Sequence, residues 1–151
     1  MQKKQVQFIS SSQTIDLRSR ILRPNQPLIN CHYVGDDNST TFHLGIAINA
    51  KILSNGTFML EKNENFVDTK LAYRLRGMAT DPEFQKQGFG KLIIEAALIE
   101  LKKRNCDVLW FNARVSAEGF YKKMGFHSIE NIFEIPLSGP HKLMYTTKIC
   151  L

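Results

Sequence analysis

Met78-Ala79-Thr80-Asp81-Pro82-Glu83-Phe84-Gln85-Lys86-Gln87-Gly88-Phe89-Gly90-Lys91 is the stretch on which the fold turns. It lies between two patterned segments. Before it, Leu71 to Thr80 (Leu-Ala-Tyr-Arg-Leu-Arg-Gly-Met-Ala-Thr) reads as a strand that ends at Asp81-Pro82. After it, Lys91 to Arg104 reads as a helix with apolar residues on most of its circumference (Leu92, Ile93, Ala96, Ala97, Ile99, Leu101), as expected of a helix covering a sheet. The opening turn of a helix has free N–H donors and a partial positive charge. Glycines such as Gly88 and Gly90 let a ligand come close to the backbone. A diphosphate fits such a place without a cationic side chain for each oxygen.

Two common phosphate motifs fail here. A P-loop needs glycine at the position of Gln85 and Ser or Thr after Gly90-Lys91, where Leu92 stands. The dinucleotide fingerprint begins at Gly88-Phe89-Gly90 but meets Ile93 in place of its last glycine, and the turn comes too late for a leading βαβ unit. What remains is Gln-x-x-Gly-x-Gly after a strand and Asp-Pro-Glu.

The rest of the chain supports one α/β domain over residues 1–151. Gln5 to Ile9 alternates as a short strand. Thr14 is placed to cap a helix through Ile15, Leu17, Ile21 and Leu22, which stops before Pro24. Phe42 to Ala50 and Ile52 to Glu61 read as strands, with a turn or bulge at Asn55-Gly56. Asp107 to Phe111 is a short apolar strand with Trp110 in the core, and Ser116 to Met124 a helix capped by Ser116 and ended by Gly125. Phe126 to Ile135 and Lys142 to Ile149 read as a strand pair joined through residues 136–140.

Composition narrows the class. The 151 residues are 43% hydrophobic and 23% charged, a globular balance. No apolar run is long enough to span a membrane, and the first residues lack a signal-peptide pattern, so a cytoplasmic location is expected. Cys31, Cys106 and Cys150 are far apart and odd in number, which suits reduced thiols and not a disulfide framework. No His/Cys/carboxylate set has metal-ligand spacing, so no metal is expected. The net charge of +6 suits a phosphate-bearing small molecule more than nucleic acid, since the cluster Lys102-Lys103-Arg104 sits at a helix end that favours cations.

The passage from Asp81 to Gly90 resembles the acetyl-CoA-binding motif of the GNAT superfamily of N-acetyltransferases. A second resemblance supports it: Ala117-Glu118-Gly119-Phe120-Tyr121-Lys122-Lys123-Met124-Gly125-Phe126 is similar to the family's Ala, aromatic-Tyr and Gly-Phe signature, in the expected order and spacing. The resemblance implies a mixed, partly splayed sheet flanked by helices, with acetyl-CoA as co-substrate in a cleft between the strands at 71–80 and 107–111. It implies pantetheine contacts at Met78, Ala79 and Thr80, diphosphate contacts at Gln85, Lys86, Gln87, Gly88, Phe89, Gly90 and Lys91, and further coenzyme contacts at Phe120 and Lys123. It also implies that Tyr121 is the general acid. The family often has Asn seven residues before that Tyr; here Arg114 stands there, with Asn112 two residues earlier, and either is a coenzyme contact or a strand-end residue.

The reaction implied is direct attack of a primary amine on the thioester. A lysine-like amine, with a pKa of roughly 10.4, needs a base or a proton-relaying water. Glu134 and His141, which flank Pro136 to Pro140 and could meet across a hairpin, are the candidate bases, ahead of His32 and His43. Arg74 and Arg76 share a strand face and read either as solvent-facing edge residues or as holders of an acidic acceptor. The family's acceptor-binding region covers Arg18, Arg23, Asn25, Gln26 and Cys31-His32-Tyr33, and the acceptor amine is not identified by them. A homodimer is an open expectation. The competing function is a non-catalytic sensor that holds acyl-CoA without turnover.

Overall fold

The computed structural model describes residues 4–149. Cys150 and the first three residues, on which the reduced-thiol and leader readings partly rest, lie outside the described residues.

Eight strands form one sheet: β1 (Val6–Ile9), β2 (Phe42–Ile48), β3 (Lys51–Leu60), β4 (Ala72–Thr80), β5 (Val108–Arg114), β6 (His127–Ser128), β7 (Phe133–Ile135) and β8 (Gly139–Thr146). Their order is β1-β2-β3-β4-β5-β8-β6, with β7 also on β8. All neighbours are antiparallel except β4 and β5. That parallel pair lasts only from Ala72↔Val108 to Arg74↔Trp110. Asp107 fixes its start by accepting from the N–H groups of Lys70 and Leu71, each at 2.8 Å. Beyond Arg74 and Trp110 the strands diverge: β4 stays with β3 as far as Thr80↔Ser54, and β5 stays with β8 as far as Arg114↔His141. The sheet is therefore mixed and splayed. β5 runs three residues past its expected end because Asn112, Ala113 and Arg114 carry their pairing to β8 while breaking the apolar run.

A bulge shapes β4. Asn55 pairs with Ala79 but Thr57 with Arg76, so three steps on β4 oppose two on β3. The extra residue falls on β4 opposite the expected Asn55-Gly56 irregularity, with Gly77 at φ +65°. A Cβ on Gly77 would stand 3.1 Å from Arg18 Nε and 3.2 Å from the Tyr33 ring. Glycine is thus required by both backbone angle and space.

Helix α2 (Phe89–Lys103) begins two residues before the expected start. Phe89, Ile93, Ala97 and Leu101, with Ile94 and Leu98, make one buried stripe against β2, β3 and β4. Ile99 points to solvent at 61% exposure, so the helix is amphipathic rather than buried all round. It ends in a Schellman cap: Asn105 at φ +60° donates to the Lys102 carbonyl and Cys106 donates to that of Leu101.

Near the N-terminus the helical run covers 11–22 and includes one α turn, α1 (Ile15–Leu17). Thr14 does not cap it. The run starts at Ser11, where Ser10 N–H donates to Gln13 Oε1 at 2.8 Å. The C-terminal segment also differs from expectation. Residues 126–135 break into β6 and β7, both paired to β8, which starts at Gly139 after a tight turn through Leu137 at φ +68°.

Candidate active site

The divergence of β4 and β5 opens a cavity of about 390 Å³. One wall is Arg74 to Met78 on β4; the other is Phe111 to Arg114 on β5. Ala117 and Tyr121 lie below, Ile135, Ser138 and His141 close the β7–β8 side, and Leu22, Arg23 and Tyr33 reach in from the N-terminal region.

Tyr121 is fixed by the local sequence. It lies on α3 (Glu118–Lys123), which follows a 3-10 turn containing Ser116, so Ser116 is inside that turn rather than a cap. Helix α3 ends in a second Schellman cap: Gly125 at φ +93° donates to the Lys122 carbonyl and Phe126 N–H to that of Tyr121. Phe126 then packs on Tyr121, ring centroids 6.0 Å apart, and Phe111 meets Tyr121 at 4.4 Å. These rings hold the phenol in place. Among the described residues its hydroxyl has no hydrogen-bond partner, and burial pushes its pKa up, so it carries a proton at neutral pH.

His141 is also buried on the cavity wall. Its Nδ1 lies 2.8 Å from the Gly139 carbonyl, which can only accept. That contact assigns a proton to Nδ1, so in the neutral imidazole the lone pair is on Nε2. Glu134 does not meet it. The hairpin pairs Phe133 with His141 and Glu134 with Pro140, so alternation turns the exposed Glu134 to the other face and outside the cavity lining.

Where α2 begins, Gly88 is left-handed at φ +84°, and a Cβ there would have nothing within 4 Å. Lys86 is left-handed too, at φ +62°. Gln85, Lys86, Gln87 and Gly88 form an exposed turn, held by Gln85 Nε2 donating to the Thr80 carbonyl at 3.1 Å. Asp81 supports its approach by accepting from Glu83 N–H at 3.1 Å and pairing with Arg20 at 3.1 Å. The N–H groups of Phe89, Gly90 and Lys91 begin the helix and have no acceptor among the described residues. Gly90 leaves room for the Phe120 ring, whose edge would stand 3.3 Å from a Cβ. The turn is thus exposed and donor-rich, with the Lys4 ammonium donating to its Gln87 carbonyl at 3.0 Å, an arrangement that fits a coenzyme diphosphate.

Asn112 and Arg114 both line the cavity, whereas Lys123 is exposed on α3 and does not. His43 belongs to a buried network: Thr57 Oγ1 lies 2.7 Å from its Nδ1, and its Nε2 donates to the Asp36 carbonyl at 2.9 Å. Arg74 and Arg76 are half-buried cavity residues, not solvent-facing edge residues. Their exposure depends on where β5 leaves β4, which their own spacing does not record. Trp110 is in the smaller core on the sheet face away from α2, the face Arg74 shares, with the Arg74 guanidinium 4.9 Å from its ring and its Nε1 donating to the Glu61 carbonyl at 2.9 Å.

Residues 33–128 match the family model described as an acetyltransferase (GNAT) domain. The chain belongs to the GNAT acetyltransferase family. This acetyltransferase is 35% identical to N-acetyltransferase YitI of Bacillus subtilis over 143 residues, 95% of each chain. Over 56 residues, 35% of this chain and 38% of the other, it is 38% identical to the ribosomal protein bS18-alanine N-acetyltransferase of Escherichia coli. Its fold is that of Escherichia coli ElaA, with a TM-score of 0.72 at 16% identity over 93% of this chain and 97% of that one. It is equally that of an aminoglycoside 6′-N-acetyltransferase solved with coenzyme A, with a TM-score of 0.72 at 9% identity over 97% of both. The acetyltransferase is an enzyme of acyl-CoA-dependent transfer to amines. No helix among the described residues is long and apolar enough to cross a membrane, and no group of three or more metal-ligating side chains stands together among them.

Proposed function

We propose that residues 1–151 act as one acetyltransferase domain that moves an acetyl group from acetyl-CoA to a primary amine by direct attack in the β4–β5 cleft. The observation that carries this reading is the unpartnered, protonated Tyr121 hydroxyl on the cleft wall, on the same open side of the sheet as the donor-rich start of α2. The coenzyme supplies an activated acetyl thioester. The amides opening α2 hold its diphosphate, with Gln85 to Lys91 forming the turn and Phe120 beside it. The β4 edge at Met78 to Thr80, left without a β5 neighbour, offers backbone groups to the pantetheine arm as an added strand would. His141 Nε2 receives the amine proton, directly or through water, and Tyr121 gives one to the departing sulfur. Asn112 and Arg114 take up the coenzyme side or the acceptor side of the same wall. The expected setting is the cytoplasm, where the buried thiols of Cys31 and Cys106 remain reduced.

The test is a thermal-shift titration with acetyl-CoA, followed by an amine panel read by thiol release. Stabilisation that grows with the logarithm of ligand concentration, together with thiol release on an amine, supports the reading. Binding without release on any amine would instead make the chain a sensor.

Two variants probe the parts. Gly88→Ala adds a methyl where the protein itself leaves open space, so stability falls only by the left-handed strain, about 1 kcal/mol. Acetyl-CoA affinity is expected to fall about tenfold or more, measured by calorimetry. His141→Gln keeps a hydrogen-bonding side chain without a base. It is expected to lower kcat/KM by roughly a hundredfold near neutral pH and to recover as pH rises and the free amine becomes abundant. A flat loss at every pH would remove His141 from proton transfer.

A further inference from the structure

The cavity lining holds four arginines, Arg23, Arg74, Arg76 and Arg114, and no carboxylate. Only Arg74 is answered by a fixed anion, Glu61 Oε2 at 3.0 Å. Among the described residues the other three make no ion pair. Arg76 stacks on the Tyr33 ring with its guanidinium carbon 4.2 Å from the centroid, and Arg23 lies over the same ring at 5.0 Å. Burying a guanidinium without an anion is costly, and burial followed by repulsion from Arg74 pulls the Arg76 pKa down. In the binding mode proposed above the coenzyme diphosphate sits at the start of α2, whose residues do not line the cavity, so it does not answer this charge.

We propose that the acceptor is a small amine carrying a carboxylate, amino-acid-sized, whose carboxylate is gripped by Arg76 with Arg23 and Arg114 at the rim of the cleft. This rests on the acetyl-transfer reading above. A guanidinium fork matches a carboxylate with two parallel hydrogen bonds. About 390 Å³ has to take both the acyl end and the acceptor, which favours a free amino acid over a chain. The arginines have a second effect. A cationic surround disfavours the ammonium form, so the bound amine loses its proton more readily. In the step itself the amine nitrogen forms a bond to the acetyl carbon and the carbon–sulfur bond breaks with its electron pair on sulfur. One proton leaves the nitrogen and one reaches the sulfur, giving an N-acetyl amino acid and coenzyme A.

The experiment compares amino acids with their own amides, with aminophosphonates and with short acidic peptides, using acetyl-CoA and thiol detection. The expected result is at least a tenfold higher kcat/KM for amino acids than for their amides. Arg76→Met should collapse that preference toward one, and Arg76→Lys should restore part of it, with the acetyl-CoA thermal shift retained in both. Equal use of acids and amides, preference for the phosphonate or the peptide, or a preference that survives Arg76→Met would each overturn the proposal. Loss of acetyl-CoA stabilisation in the unaltered protein would instead sink the acetyl-transfer reading, so the two failures are separate.

Discussion

Tyr121→Phe is expected to lower kcat roughly a hundredfold or more, the usual contribution of a positioned acid, with acetyl-CoA affinity unchanged within about twofold. The hydroxyl removed has no partner among the described residues, so the rings of Phe111, Phe120 and Phe126 keep the new side chain in place and the melting temperature should hardly move. A raised phenol pKa does not disqualify it as a donor to sulfur. Burial acts on thiols in the same sense: it pushes Cys106, shielded at the end of α2, to about 11. A coenzyme thiolate shielded from water beside Tyr121 would likewise be a stronger base than in solution, which suits a phenol as its donor. The pH profile follows: since burial raises the Tyr121 pKa, the alkaline limb of kcat should not fall near the value of about 10 of a free tyrosine. Full turnover by the Phe variant would remove Tyr121 from the chemistry.

Asp36→Ala should produce the largest loss of stability. Arg18 is fully buried, and its guanidinium donates to Asp36 Oδ2 at 2.7 Å and Oδ1 at 2.9 Å, to the Cys31 carbonyl at 2.8 Å and to Thr57 Oγ1 at 2.7 Å. Removing the carboxylate leaves a buried cation unanswered, at a cost of about 3–5 kcal/mol. For a chain of this length that corresponds to a fall of roughly 10 °C or more in the melting temperature, read by circular dichroism. The double variant Arg18→Met with Asp36→Leu should recover much of it, because no lone charge remains. Burial alone would raise the Asp36 pKa, but hydrogen bonds from Arg18 and from Tyr33 N–H, with the Arg18 charge, outweigh it and hold it below the ordinary carboxylate value. The sign is therefore fixed. The stabilisation is present above the unfolded value and is lost as pH falls through the lower native one. The gap between wild type and Asp36→Ala should narrow in that acid range and stay constant near neutrality.

How much of this was readable beforehand differs by element. Helix α2, the Gly88 turn and the Gly125-Phe126 stop were legible because each rests on local rules: a repeating apolar spacing and glycines at left-handed positions. Tyr121 was singled out by the resemblance of residues 117–126 to the family's aromatic-Tyr and Gly-Phe signature and not by a local rule. The Gly77 bulge was hidden, since one inserted residue leaves the strand's composition unchanged and shows itself only in register against β3. The arginine wall was hidden for a related reason. Arg74 and Arg76 become cavity residues only because β5 departs after Trp110, a fact of tertiary pairing. Tyr33 and Ser138 reach the cavity from loops, where no periodicity marks a face. Glu134 and His141 were separated by a shift in where the hairpin turns, and one residue of register reverses a face.

The short parallel contact between β4 and β5 divides the labour of the molecule. The donor-rich turn belongs to the leaf that ends with α2, while Tyr121 and His141 belong to the leaf built from β5 onward, and along the strands only three residue pairs stitch the leaves together. A coenzyme bound as proposed would lie across the gap as a rivet does. In the binding mode proposed above it would grip one leaf and set its reactive end beside the other, adding a link to two leaves that already share one apolar core.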